Sequence, residues 1–329
     1  MTSSTTGTTA GGTAGDKAGR SALNTARKAL RAGDTAPARA LLATTRTDPD
    51  RREHHVGELS KAGAEQLALL GGALEEQPGD PDLLLLLGVA LVTAAKNARG
   101  SARASALSDG QVRDMFSLGR EAREHLRAAV KAAPEDPVPW AALMRIAQLA
   151  PEREREWREA FAQVTERAPL LYGANMTALG CLTRKWHGSE AEQAAFAAER
   201  AAAAPDGHPL LALVPMSHIE SYVDGLMRGN VVVRIGRVLM QRRLKKRRAR
   251  TEVNTASERL LTSPLAHPSA TSAHQVFATY YHRVHDTKRL RAHLERSGPK
   301  AIEFPAAYFG DHVKLFAEAR AAAGLAPKT

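Results

Sequence analysis

Two stretches, "ALEEQPGDPDLLLLLG" from Ala73 to Gly88 and "AVKAAPEDPVPWAALM" from Ala129 to Met144, align without a gap and share the motif Pro-x-Asp-Pro. Each closes one helical pattern and opens another. Proline breaks a helix interior but suits a first turn, so each motif predicts a helix stopping where the next begins. Further prolines follow at Pro169, after "VTERA", and at Pro205, after "ERAAAA", and the intervals from Pro134 onward are 35 and 36 residues. That is the length of a helix-turn-helix unit, which buries its apolar face only by stacking on its neighbours. Composition agrees: aromatics make up 5% of the 329 residues, while Ala, Leu, Arg and Glu recur throughout, favouring helices over strands. The predicted class is all-α, an α-helical solenoid of degenerate repeats.

Within this period, Leu84 with Leu87-Gly88, Trp140 with Leu143, and Met176 with Leu179-Gly180 occupy matching places in the first helices. Ala122, Leu126, Ala129 and Pro134 do so in a second helix, and Phe161 stands eight residues before Pro169. This pattern resembles tetratricopeptide repeats across roughly residues 67–220. Gly88 and Gly180 are expected to let neighbouring helices approach closely. The fourth unit departs from the pattern, with Phe196 nine residues before Pro205 and Pro215 inside the expected following helix. The first unit runs 56 residues between prolines, its excess falling at "KNARGSARASALSDG". Ser108-x-x-Gln111 is a capping box expected to restart the helix there.

These signals divide the chain into a disordered tail (1–18), an N-terminal repeat block (19–224) with a flexible insertion (96–110), a basic amphipathic segment (225–252), and a C-terminal helical block (253–325). In the last block, "TASERLLTSP", "SAHQVFATYYHRV", "TKRLRAHLERSG" and "DHVKLFAEARAAAG" carry apolar residues at three- and four-residue steps. The stretches 184–213 and 273–311 also resemble an actinobacterial group of helical-repeat proteins, in which Trp-Gly-Gly-Ser stands where this chain has Trp186-His187-Gly188-Ser189. That resemblance implies a fold and brings no activity with it.

The formal charge of +11 is concentrated: residues 228–250 hold ten Lys or Arg and no Asp or Glu, and "QRRLKKRRAR" (241–250) alone holds seven of them. An electrostatic partner is expected to meet the chain there. The lone Cys181 excludes an intrachain disulfide, and its apolar helical setting predicts a small buried side chain. The N-terminus lacks the pattern of a secretory signal, and the apolar run from Leu83 to Ala95 falls short of the ~30 Å of a bilayer core. No transmembrane segment is predicted, and the expected location is cytoplasmic.

Motifs that carry chemistry are absent from the sequence. There is no Gly-x-Ser-x-Gly elbow, phosphate-binding Gly-Lys-Ser/Thr loop or Gly-x-Gly-x-x-Gly turn. In "KWHGSEAE", Gly188 reads as a helix stop and Ser189-x-x-Glu192 as a capping box, leaving His187 unexplained. His282 and His285 stand one turn apart without the further ligands a zinc site needs. Glu152, Glu154 and Glu156 read as a solvated helix face. No cofactor, metal or catalytic residue is predicted.

The tetratricopeptide resemblance implies a concave groove lined by first helices, offering Ala141, Arg145, Gln148, Thr177 and Arg184 to an extended peptide or acidic tail. Leu85, Val89 and Val92, in the corresponding places of the first unit, are expected to lie under the N-terminal helices. The basic surface comprises Arg242, Arg243, Lys245, Lys246, Arg247, Arg248 and Arg250, beyond an apolar stripe of Val231, Ile235, Val238 and Leu239. Four readings of that surface stay open: an anionic membrane, a nucleic-acid backbone, an acidic protein partner, or a solvated face. The sequence thus predicts a non-catalytic interaction scaffold or adaptor, with electrostatic binding of nucleic acid or membrane as the alternative. An accessory subunit of an enzyme encoded elsewhere is the third reading.

Overall fold

The structure is a computed structural model that describes residues 11–99, 108–148, 154–186, 188–227, 244, 246–263 and 265–325. The described residues form fifteen α-helices, joined by turns and short 3-10 segments, with no strand among them. The fold is all-α. Two compact units divide it, Met1–Pro169 and Leu170–Thr329.

Unit 1 contains α1 (Gly11–Arg31), α2 (Ala36–Ala43), α3 (Pro49–Gly63), α4 (Leu67–Glu76), α5 (Pro81–Arg99), α6 (Asp109–Ala132), α7 (Val138–Ala147) and α8 (Glu154–Arg167). Helix α1 takes in residues 11–18 of the predicted tail, and residues 1–10 lie outside the described residues. Helix α5 is the axis of the unit. Its leucines 83–87 and Val89 to Val92 are all buried, with α3, α4, α6 and α7 packed around it. A helix apolar on every side is stable only inside such a ring.

By length and composition α5 is also apolar enough to cross a membrane, over an 18-residue window, Pro81–Ala98, of mean hydropathy 1.4. The expectation from Leu83 to Ala95 is corrected here, because the good helix formers 94–99 extend the helix to Arg99; the window is 67% buried by protein. Gln111, at the start of α6, donates to the Ala98 carbonyl near that end, over 3.2 Å. The reciprocal capping box between Ser108 and Gln111 is present as the sequence predicts. Residues 100–107 of the predicted insertion lie outside the described residues. On the α5 face toward α6, a Cβ at Gly88 would stand 2.7 Å from the Leu126 side chain, so that close approach requires glycine.

Asp-Pro opens three helices of this unit. Asp48 accepts the Arg51 amide, Asp80 those of Asp82 and Leu83, and Asp136 that of Val138. The same turns converge on Arg52, which is 1% exposed. Its Nε donates to Asp136 Oδ2 over 2.6 Å and its Nη1 to the Leu42 carbonyl over 2.7 Å. Its Nη2 lies 2.8 Å from Asp82 Oδ1, an ion pair without hydrogen-bond alignment. Burial pushes the Asp136 carboxyl above its ordinary range, while Arg52 and the Val138 amide pull it back. One guanidinium therefore ties α3 to the end of α2 and the starts of α5 and α7.

Unit 2 contains α9 (Tyr172–Cys181), α10 (Glu190–Ala203), α11 (Leu213–Met227), α12 (Arg247–Thr262), α13 (Ala270–Val284), α14 (Thr287–Arg296) and α15 (His312–Ala322). The last four fall on the four stretches that carried helical periodicity. Pro215 sits in the first turn of α11, where its missing N–H costs no intrahelical bond. Cys181 is buried at 2% exposure, as its apolar setting predicts. The core gathers on α13, whose Phe277, Tyr280 and Tyr281 are buried, and Tyr280 donates to the Leu244 carbonyl over 2.7 Å. Leu244, the one apolar residue in a cationic run, is 1% exposed and belongs to this core.

Behind α13 runs a buried polar chain. Ser257 Oγ lies 2.8 Å from His293 Nε2, and His293 Nδ1 lies 2.9 Å from His274 Nδ1, with Phe277 stacked on the His293 ring at 4.6 Å. Burial pushes His274 down to about 4 and His293 well below its ordinary range. Both are neutral in the folded state at pH 7, whereas in the unfolded chain they bind protons near pH 6.5.

Two predictions follow these contacts. Arg52→Met leaves Asp136 buried without a counterion and Asp82 with Arg46 alone, and is expected to cost about 3–5 kcal/mol in urea unfolding, with Asp136→Asn in the same background recovering part of it. The histidine pair contributes stability that is complete above about pH 6.5 and is lost as pH falls toward 4. Urea unfolding at pH 7 and pH 4.5 should differ by about 2–3 kcal/mol through His274 alone, a difference that His274→Asn/His293→Asn reduces.

Candidate functional site

Helix α10 begins at Ser189, whose side chain accepts the Glu192 amide as the sequence predicts. The Glu192 carboxylate turns to the Ser189 hydroxyl at 2.8 Å, in place of the predicted reciprocal bond to its backbone amide. Alanine-rich sequence favours this helix intrinsically, and its two faces differ in company. Gln193, Ala197 and Ala201 face inward, with Gln193 donating to the Leu179 carbonyl of α9. Ala191, Ala194, Ala195, Ala198 and Ala202 are exposed on one opposite face, at helical steps of three and four.

That face looks into an open groove of about 1100 Å³ within unit 2. Helix α11 lines it with Val214, Ser217, His218 and Ser221, again one helical face. Helix α12 supplies Arg248, Glu252, Thr255 and Arg259. Two features fix its walls. At the far end of α10, Arg259 donates to the Ala201 and Ala204 carbonyls and to Asp206, so one side chain caps α10 and holds α12 beside it. In the turn that follows, Gly207 adopts φ 81°, and a Cβ there would fall 1.5 Å from the Ser263 carbonyl oxygen. Only glycine permits that crossing.

Nearer the start of α12, His218 Nε2 lies 3.0 Å from Glu252 Oε2, and Arg248 donates to Glu252 Oε1 over 2.8 Å. Burial pushes His218 below its ordinary range, with Glu252 and Glu190 opposing. Burial raises Glu252, but Arg248 and His218 outweigh it and hold the carboxylate low. The neutral imidazole donating to a charged carboxylate is the arrangement consistent with both directions. It joins α11 to α12. The Ser217 hydroxyl next to it donates to the Val214 carbonyl over 2.9 Å.

The predicted site residues separate between the units. Arg145 and Gln148 belong to unit 1, where Arg145 pairs with Glu53 at 2.8 Å and Gln148 ends α7. Ala141, at 1% exposure, is core and offers no groove surface, because α7 is apolar on the sides that pack on α6 and α8. Thr177, on α9 of unit 2, donates its hydroxyl to the Gly173 carbonyl over 2.9 Å. Leu85, Val89 and Val92 are buried, with α3 and α4 against α5. Arg184 is exposed on a 3-10 turn, Arg184–Trp186, and lines the unit 2 groove.

Of the basic surface, Arg242, Arg243 and Lys245 lie outside the described residues, as do the stripe residues Val231 to Leu239 and His187. Lys246, Arg247, Arg248 and Arg250 stand at the start of α12 and are exposed. Lys246 and Arg248 line the groove with Arg184, whereas Arg250 reaches Asp286 at 4.0 Å. His285 takes up a left-handed conformation at the end of α13, and no group of three or more His, Cys, Asp or Glu suited to a metal gathers among the described residues. His218, Glu252 and Arg259 carry no local motif and come together only in the fold. The alanine face was legible in "EAEQAAFAAERAAA" as a period of small residues. No protein-family model and no curated protein matches the chain.

Proposed function

We propose that the chain is a non-catalytic interaction protein that holds an acidic segment of a partner protein in the groove of unit 2. The observation that carries this reading is the meeting of Arg184, Lys246 and Arg248 at a groove in whose lining alanine is the commonest residue. Four cations line it against two carboxylates, Glu190 and Glu252, so the lining is net positive. Such a surface favours carboxylate-bearing ligands, with guanidinium groups able to bind them in bidentate fashion.

The repeat reading supports the same role. The residues quoted for first and second helices fall on α5 and α6, α7 and α8, and α9 and α10 in turn, and α5 packs on α6 as α7 packs on α8. We take these hairpins as degenerate tetratricopeptide-like units of a solenoid, an architecture suited to presenting surfaces to partners. The compartment proposed is the cytoplasm, with α5 a core helix.

Fluorescence anisotropy with a labelled Glu-rich peptide tests this. Binding is expected at low salt, weakening as salt rises. The variant Arg184→Glu/Lys246→Glu/Arg248→Glu is expected to lose at least tenfold in affinity, about 1.4 kcal/mol. Unchanged affinity in that variant contradicts the reading. Binding of duplex DNA or anionic vesicles in place of the peptide assigns the cations to the alternative partner.

A further inference from the structure

We infer that the segment held in the unit 2 groove is an amphipathic helix, its small or apolar face laid along α10 and its acidic residues gathered toward the starts of α10 and α12. This rests on the reading of the groove as a site for an acidic partner and adds the conformation that the partner must take.

An extended peptide carries N–H and C=O groups that need partners once water is excluded, and each left unpaired costs about 1–3 kcal/mol. Sheet domains meet that need with a strand edge. Here the floor is Ala191, Ala194, Ala195, Ala198 and Ala202, side chains that neither donate nor accept, on a helix whose own backbone is internally bonded. Several polar groups nearby are engaged, Arg259 with α10 carbonyls, Ser217 with Val214 and His218 with Glu252, and the hydroxyls of Ser221 and Thr255 on the facing walls are single groups, not the continuous row of donors and acceptors that an extended backbone needs. A helix brings its backbone bonds with it and asks only for shape and charge.

The shape fits. Ala191 to Ala202 spans eleven residue steps, about 16 Å or three turns at 1.5 Å per residue. A helix of ~10 Å diameter and that length would lie along an open groove of about 1100 Å³. Alanine side chains allow axes to approach at the short end of the 8–10 Å range for packed helices. Val214 of the α11 wall adds apolar surface to the floor.

Charge sets the direction. Glu190 acts on His218, and His218 pairs with Glu252, so the start of α10 lies beside the first turns of α12. Arg184, Lys246 and Arg248 belong to that end, whereas Arg259 at the other end is engaged with Asp206 and two carbonyls. The exposed α10 and α12 amino termini add their partial positive charge. An acidic cluster on the ligand is therefore matched at one end of the groove.

The test uses the full chain and two synthetic peptides of identical composition, each with an Ala/Leu face and a Glu cluster at one end. One is helix-forming, and the other is interrupted by a central proline in place of a terminal one. The helix-forming peptide is expected to bind at least tenfold more tightly, with its helical circular dichroism rising on binding. Ala198→Phe, at an exposed position, is expected to weaken it at least tenfold with Tm unchanged. If that variant lowers Tm, Ala195→Gln replaces it with the same expected loss. Equal affinity for both peptides, abolished by the charge-reversal variant, overturns the helical inference while leaving the acidic-segment reading standing. No binding of either peptide overturns both. Self-association on sedimentation that Ala198→Phe removes assigns the groove to a second copy of the chain and also overturns the inference.

Discussion

Helices leave amides unpaired at their starts and carbonyls unpaired at their ends, and a chain whose described elements are all helical must find partners for them. Aspartate and arginine side chains supply many of those partners here. In unit 1, Asp48, Asp80 and Asp136 each cap a helix that a neighbouring proline helps to start. Arg52 then collects Asp82, Asp136 and the Leu42 carbonyl at one buried point. A buried charge cluster of this kind adds little net stability compared with an apolar core, but it tolerates no single removal. Its value lies in register: the Asp136 and Leu42 acceptors and the Asp82 charge meet one guanidinium only with α2, α3, α5 and α7 brought together.

Unit 2 applies the same solution to a different end. Arg259 satisfies the last carbonyls of α10 from α12 and so sets the separation of the two helices that wall the groove. His218 and Glu252 join α11 to α12 near its start, and Arg248 completes the pair. The groove is thus framed by polar ties and floored by alanine. An alanine floor with cations toward one end is the surface that the proposed acidic helix would meet.

Much of the fold was legible in the sequence because it is written in local terms. Proline and Asp-Pro mark helix starts, Ser108 and Ser189 cap the helices that follow them, and the periodic apolar residues of the C-terminal stretches became α12 to α15. The insertion was expected from residue 96, whereas α5 continues past its apolar part to Arg99. The site was legible only in pieces. Arg184, Lys246 and Arg248 were identified as cationic, but their meeting depends on contacts between α10, α11 and α12 that no sequence spacing encodes. Arg145 looked like an available groove donor until the fold placed Glu53 beside it, 92 residues away in sequence. Leu244 read as an interruption of a basic run, and the structure places that residue in the core of unit 2.

Amide hydrogen exchange of the full chain, with and without the helix-forming acidic peptide, tests the central claim most directly. Added protection confined to α10, α11 and the first three turns of α12, with unit 1 unchanged, is the result this account predicts. Protection spread over α5 to α8, or none in α10 while the peptide is bound, would contradict it.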